Sequence, residues 1–353
     1  EWGTSADALT GDIQSETVIS GKAGRFSATL EGLSYNTEYF FRAYVKILVD
    51  GSYKTYYSSV RSLRTEKGGD PGNPEEPGGE TPSQSGTQPW WFEVPVVKAS
   101  RNSDGYLQGT DNTDLYYAYH KSDVGTRNYT VCYNGAYHCP VWIAAPRHEM
   151  YYGSSGRTDA YNWDPDIPKE VQQGAKSGST SGYNRGHMLG SAERTASKLT
   201  NNQVFYLTNI APQGNPWFNQ DGGGWNILEK FVDGFECPDT LYVVIGTYFE
   251  DYTDKYGNSA SKKTALFMTS DVQIPTMFYY ALMRTKSGDT GKSLKDCSRD
   301  EIMCAAFVRA HAAGIKGQAV TRTEMMSIDE LEALTGFDYF PAVTNAPEDS
   351  FTP

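Results

Sequence analysis

The stretch SGYNRGHMLGSAERTAS, residues 181–197, holds His187, one of only five histidines in the chain. Arg185 and Asn184 stand just before it. Histidine titrates near neutral pH and can take a proton from water. The arginine fork suits phosphate oxygens, and amide or carboxylate oxygens suit a hard cation. More residues of these kinds follow one another along the chain: Arg157 before NWDP, Asn209 in TNIAPQ, Asn219 in WFNQ and Glu229 in WNILE. Together they could supply the base, the anion grip and the cation grip that hydrolysis of a phosphate ester needs. Each also has an ordinary use. Asn184 to His187 reads equally well as a surface turn, and Arg157 as a solubilising charge. Asn219 lies near an expected helix start and suits a cap, Glu229 suits an exposed helix face, and Asn209 suits a purely structural bond. The other histidines, His120, His138, His148 and His311, have no partner pattern and read as structural or surface residues.

The elements that must carry these residues are mostly strands. The segments RNYTVCYN, HCPVWIAAP, QVFYLTNIA, TLYVVIGTYF and TMFYYALMRT are rich in β-branched and aromatic residues and end at turn signals. MCAAFVRAH fits a strand or a helix equally. NILEKFVDGF and SIDELEALTG read as helices, and Ser327 with Glu330 three residues on is a capping box for the second. Asn134-Gly135 is a hairpin turn signal. Cys132 and Cys139 flank it, which lets them face each other and form a disulfide. The cysteine count of five is odd, so at least one thiol has no partner within the chain.

Length and composition frame the rest. The chain has 353 residues, a soft indication of two domains. A boundary falls at the Gly- and Pro-rich stretch over residues 67–88, which reads as a linker. A formal net charge of −12 argues against coating nucleic acid by bulk charge, but not against gripping a few phosphates locally. No apolar run is long enough to span a membrane, no Cys/His cluster suggests zinc, and nothing in the sequence fixes an oligomeric state.

The ordered set Arg157, Asn184-Arg185-Gly186-His187, SAER, YLTNIAPQ, FNQDGGGWNILE, LYVVIGTYF, IPTMFYYALM and SIDELEALTGFDYFP resembles the DNA/RNA non-specific endonuclease family, the endonuclease G-like ββα-metal nucleases. The resemblance covers roughly residues 110–341. The family tetrapeptide is Asp-Arg-Gly-His, so Asn184 departs from it, and DGGG inserts before Glu229. The resemblance implies an α+β ββα-metal nuclease fold with a central antiparallel sheet over 89–353. It implies His187 as general base and Asn219 as the metal ligand. Arg185, Arg157, Asn209 and Glu229 complete the site. The cofactor implied is Mg²⁺, with Mn²⁺ as a substitute. The substrates implied are DNA and RNA, cut to 5′-phosphate and 3′-hydroxyl ends. A non-catalytic nucleic-acid-binding or adhesion protein that keeps the fold is the alternative.

Residues 1–66 resemble a partial fibronectin type III module. Leu33, Thr37 and Tyr39 in LEGLSYNTEYFFRAYV match its tyrosine corner. A full module is longer, so its first strands are expected to lie outside this chain. The module, the linker and the hairpin cysteines lead to the expectation of a secreted, periplasmic or surface-tethered protein.

Overall fold

The computed structural model describes residues 1–13, 37–49, 52–64, 92–97, 114–124, 127–174, 182–220 and 222–350. Leu33 and the 67–88 stretch lie outside these. The chain divides into two compact units, Glu1–Glu80 and Thr81–Pro353. The described elements of the first unit are all strands. Trp2–Gly3, Glu38–Phe41 and Arg61–Arg64 form one sheet, and Tyr44–Val49 pairs with Ser52–Tyr57. Tyr39 is buried there, with Trp2 at 5.7 Å between ring centres.

The second unit is mostly sheet with few helices. Among the described residues its largest sheet has seven strands. Their order is Met325–Met326, Ile302–Ala310, Met277–Thr285, Leu241–Tyr248, Cys139–Arg147, Arg127–Asn134 and Leu115–Lys121. Every described pairing in it is antiparallel. MCAAFVRAH is thus a strand. Successive side chains of a strand point to opposite faces, and both faces of this sheet are covered. Val131, Ile143, Val243, Ile245 and Leu282 belong to one core, and Trp142, Ala144, Val244, Ala281 and Met283 to the other. Strands covered on both sides carry apolar residues at successive positions, which is why these segments read as runs rather than as alternations.

That parity corrects the expected disulfide. Cys139 lies in the first core and Cys132 in the second, and both thiols are free. The register pairs Cys132 with Trp142 and Cys139 with Asn134, across an irregularity between Cys132 and Tyr133.

The first core carries the parts that matter for chemistry. Helix α1 (Lys198–Gln203) is capped by Ser197, which exchanges hydrogen bonds with Thr200. Helix α2 (Gly224–Asp233) buries Trp225, Leu228 and Val232 on one stripe, with Trp225 stacked on Tyr280. Helix α3 (Ile328–Thr335) has the expected Ser327–Glu330 capping box and packs Ile328 and Leu331 into the second core. QVFYLTNIA is not one strand. It spans the last residue of α1, a 3₁₀ turn at Leu207–Asn209 and the start of the strand Ile210–Gly214. Its apolar residues are buried as expected, but by a helix end and a turn. Among the described residues no helix is long and apolar enough to cross a membrane.

Candidate active site

Tyr183–His187 and Ile210–Gly214 form an antiparallel pair with Asn184 opposite Gln213 and His187 opposite Ile210. Gly186 is required at its place. A Cβ there would sit 2.1 Å from the Gln213 side-chain Cδ, so only glycine lets that side chain cross the strand. This accounts for the glycine between Arg185 and His187 by packing rather than by a turn.

Gln213, wholly buried, is the middle of a chain of side-chain amides. Its Nε2 donates to the His187 carbonyl at 3.3 Å. Its Oε1 accepts from Asn219 Nδ2. Asn219 Oδ1 in turn accepts from Asn184 Nδ2 at 3.0 Å. Asn219 is not the cap of α2, since that position is Gly223 and no side chain caps it. The amide of Asn219 is instead oriented, with its oxygen toward residue 184.

A cavity of about 510 Å³ is lined by Arg157, Arg185, His187, Ser191, Ala192, Thr195, Asn219 and Glu229. Five of the six expected site residues therefore meet in one place. His187 Nε2 is buried there and has no hydrogen-bond partner. The imidazole stands edge-on to Phe205 at 4.7 Å. Burial, then the positive charges of Arg157 and Arg185, push its pKa down to about 3. At neutral pH it is an uncharged ring with a lone pair available.

The two arginines are held by aromatic rings. Arg185 lies 3.8 Å over the Tyr161 ring, and Arg157 lies 4.8 Å over Phe205. Arg157 also donates to Asp159 Oδ1 at 2.8 Å and to the Tyr161 hydroxyl at 3.4 Å. Glu229 projects from α2, half-buried. Burial first, then Glu193 and Asp233, push its pKa up to about 8, with Trp225 and Arg147 opposing. The DGGG insertion has not turned it away from the cavity.

Asn209 is the expected site residue that the structure places elsewhere. It does not line the cavity, and it is wholly buried. Its Nδ2 donates to the carbonyls of Leu189 and Val204, at 3.0 and 2.7 Å, and its Oδ1 accepts from Leu189 N–H at 3.0 Å. With its amide so occupied it cannot touch a substrate. It pins the chain two residues beyond His187.

Ser191 and Ala192 of SAER line the cavity, and so does Thr195 just after it. Other functional neighbours have no signal in the tetrapeptide or its flanks. Arg147, 2% exposed, pairs with Asp233 and Glu236 at 2.6 Å each and with Glu193 at 3.3 Å, beneath α2. The signal that could have found it is an arginine ending an otherwise wholly apolar strand. His120 also has partners. Its Nε2 lies 3.0 Å from Asp164 and its Nδ1 3.7 Å from Asp166. This trio has the composition of a metal site, with one candidate ligand atom from each residue within 4.8 Å of the others. Burial opposes a charge on His120, but Asp164 outweighs it and raises the pKa. The hydrogen bond between the ring and Asp164, with Asp166 beside it, accounts for the arrangement. Thr208 donates to the same Asp164 oxygen at 2.5 Å, which ties the group to the turn before Ile210.

Comparison with known proteins places this geometry in context. The model of the DNA/RNA non-specific endonuclease family matches residues 113–346. The zebrafish (Danio rerio) protein "Nuclease EXOG, mitochondrial" is 26% identical over 222 residues, 61% of this chain and 60% of that protein. Human "Endonuclease G, mitochondrial" is 27% identical over 164 residues, 46% of this chain and 54% of its own length. A "Nuclease" of Nostoc sp. is 27% identical over 222 residues, covering 61% and 72%. The chain thus spans little more than half the length of the two mitochondrial relatives. A solved structure titled "Crystal structure of the EndoG/EndoGI complex: Mechanism of EndoG inhibition" aligns with a TM-score of 0.48 at 20% identity, over 64% of this chain and 86% of that one.

Proposed function

Because the chain belongs to the DNA/RNA non-specific endonuclease family, we propose that it is a metal-dependent endonuclease that hydrolyses both DNA and RNA. The observation that carries this reading is the unpartnered, buried Nε2 of His187 in the same cavity as two arginines, an oriented asparagine oxygen and a carboxyl group. An uncharged imidazole there takes a proton from a water molecule. The water oxygen forms a bond to phosphorus, the P–O3′ bond breaks, and the 3′ oxygen leaves to be protonated. The products are a 5′-phosphate and a 3′-hydroxyl. Arg157 and Arg185 grip non-bridging phosphate oxygens through charge-assisted hydrogen bonds. These contacts read the backbone and not the bases, so sugar and sequence matter little.

The cavity fits a hard cation. Asn219 Oδ1 is its candidate ligand and the Glu229 carboxyl group stands in the same lining; both offer oxygen, the donor type that Mg²⁺ and Mn²⁺ take, and a bound cation would favour the ionised form of Glu229. Asn219 Oδ1 accepts one hydrogen bond, which leaves a second lone pair. Asn219 would hold the ion and Glu229 would hold one of its waters. When bound, such an ion neutralises charge on the phosphate and on the leaving oxygen. Arg147 and Asn209 keep α2 and the His187 strand in place and touch nothing that reacts.

For the N-terminal part we propose a fibronectin type III-like module over 1–66 and a linker over 67–88, on an exported or surface-tethered protein. Cleavage of plasmid DNA and of RNA, with Mg²⁺ and with EDTA, tests the activity. Binding without cleavage in Mg²⁺ would instead support the non-catalytic alternative, which the departure at Asn184 favours.

A further inference from the structure

The guanidinium of Arg157 lines the cavity, yet its Nε is already engaged by an anion from its own chain, Asp159 Oδ1 at 2.8 Å. One feature sets this pair apart from other surface ion pairs, and a second, shared with them, lets it exchange. The first is backbone conformation. Asp159 has φ +50°, the left-handed region, uncommon for non-glycine residues although Asp enters it more readily than most. Strain of this kind persists where the surroundings over-determine it, and it gathers at functional sites. Here the chain closes a tight turn, Tyr161 N–H to Asp159 C=O at 2.9 Å. That turn puts both Asp159 and the Tyr161 hydroxyl on one guanidinium, while the Tyr161 ring carries Arg185. The second is exposure. The side chains of Arg157 and Asp159 are 51% and 62% exposed. The pair is open to exchange, and neither partner is locked by burial.

We propose that Asp159 is an internal stand-in for a substrate phosphate, which holds the Arg157 fork at the cavity and yields it when a nucleic-acid phosphate enters. This rests on the reading of Arg157 as a phosphate-gripping residue. A carboxylate and a phosphate present similar oxygen acceptors to a guanidinium. The exchange replaces one charge-assisted pair with another. In a chain of net charge −12, each local anion beside the cavity also repels a polyanion. Asp159 is therefore a positioning residue that sets substrate affinity, not a catalytic one. It keeps Arg157 extended over Phe205 between turnovers, and it weakens binding enough to favour release.

The test is steady-state cleavage of a short duplex oligonucleotide by the full chain in Mg²⁺, at two salt concentrations, with Asp159→Asn. Asparagine tolerates left-handed backbone angles, so the turn should survive, and an unchanged thermal melt confirms it. An exposed ion pair is worth little. We expect KM to fall about two- to fivefold, more at low salt than at high salt, with kcat held within about twofold. Unchanged KM at both salts, or a fall in kcat with KM constant, would overturn the proposal. Arg157→Ala separates the two levels of inference. If it leaves KM unaltered, the phosphate-gripping reading of Arg157 fails. If it raises KM while Asp159→Asn changes nothing, the stand-in role of Asp159 alone fails.

Discussion

Replacing Asn184 with Asp restores the residue of the family tetrapeptide, and the amide chain says what that does. The direction of the chain is set at its far end. The His187 carbonyl can only accept, so Gln213 must turn its NH₂ toward it. Gln213 Oε1 then requires the NH₂ of Asn219, which leaves Asn219 Oδ1 facing residue 184. Residue 184 must therefore donate. An ionised Asp cannot. Without a cation, Asn184→Asp sets one oxygen against another where a 3.0 Å hydrogen bond stood. The loss of that bond with an unsatisfied partner costs about 1–3 kcal/mol, or a melting temperature lower by roughly 2–10 °C. A hard divalent cation reverses the sign. The introduced carboxylate and the Asn219 oxygen would then face the same ion, and both are of the donor type it takes. The variant should thus bind Mg²⁺ more tightly than the native chain, by about tenfold or ~1.4 kcal/mol. Thermal melts in EDTA and across a Mg²⁺ titration read the first effect, and the Mg²⁺ midpoint of cleavage reads the second. A variant that melts like the native chain in EDTA and has the same Mg²⁺ midpoint would show that Asn184 does not govern the Asn219 oxygen.

His187→Ala should lower cleavage roughly 10²–10⁴-fold while the circular dichroism spectrum stays native; near-normal turnover would remove His187 from the chemistry. The folded-state pKa values of His187 and His311, both pushed down to about 3 by burial first of all, lie below the unfolded value. The unfolded chain therefore takes up these protons first, and the stability present above about pH 6.5 is lost progressively as pH falls. His120, whose pKa is raised, acts in the opposite sense: its contribution is present below about pH 6.5 and is lost as pH rises through its folded value. Urea unfolding between pH 6 and 4 should show a slope shallower by up to about 1.4 kcal/mol per pH unit in His187→Ala; parallel curves would mean that His187 is protonated in the fold. Arg147→Met leaves Glu193, the most buried of its three acidic partners, without its cation, and should cost about 1–3 kcal/mol in chemical denaturation; a loss under 1 kcal/mol would show the cluster to be solvent-screened.

What the sequence made legible is what depends on near neighbours. The Ser327–Glu330 box is a local exchange of hydrogen bonds, and the apolar stripe of α2 is a matter of spacing along one helix. Both were readable, as were the strands Arg127–Asn134 and Cys139–Arg147, whose ends are marked by turn residues. The failures share a cause. Apolar content in QVFYLTNIA says that the segment is buried, but helix end, turn and strand bury it equally well. The facing of Cys132 and Cys139 depends on register, and the hairpin closes with Asn134 opposite Cys139, which leaves Cys132 two residues further along its strand. His120 seemed alone because its carboxylate partner stands 44 residues away, and Arg147 meets Asp233 across 86.

The candidate site shows the same division more sharply. The types of its residues were legible, because phosphate chemistry draws on few side chains. Their division of labour was not. Asn209 and Asn219 are the same residue ten positions apart. One is consumed by three backbone bonds, and the other keeps a lone pair beside the cavity. Nothing local to either residue separates them. The difference is made by Gln213, which can cross its neighbouring strand only because residue 186 has no Cβ. The glycine of the tetrapeptide thereby acts on the asparagine proposed to hold the cation, through a side chain 27 residues further along the sequence. A substitution as small as Gly186→Ala should disturb the Asn219 oxygen before it disturbs His187, because the atoms that an added Cβ would strike belong to Gln213.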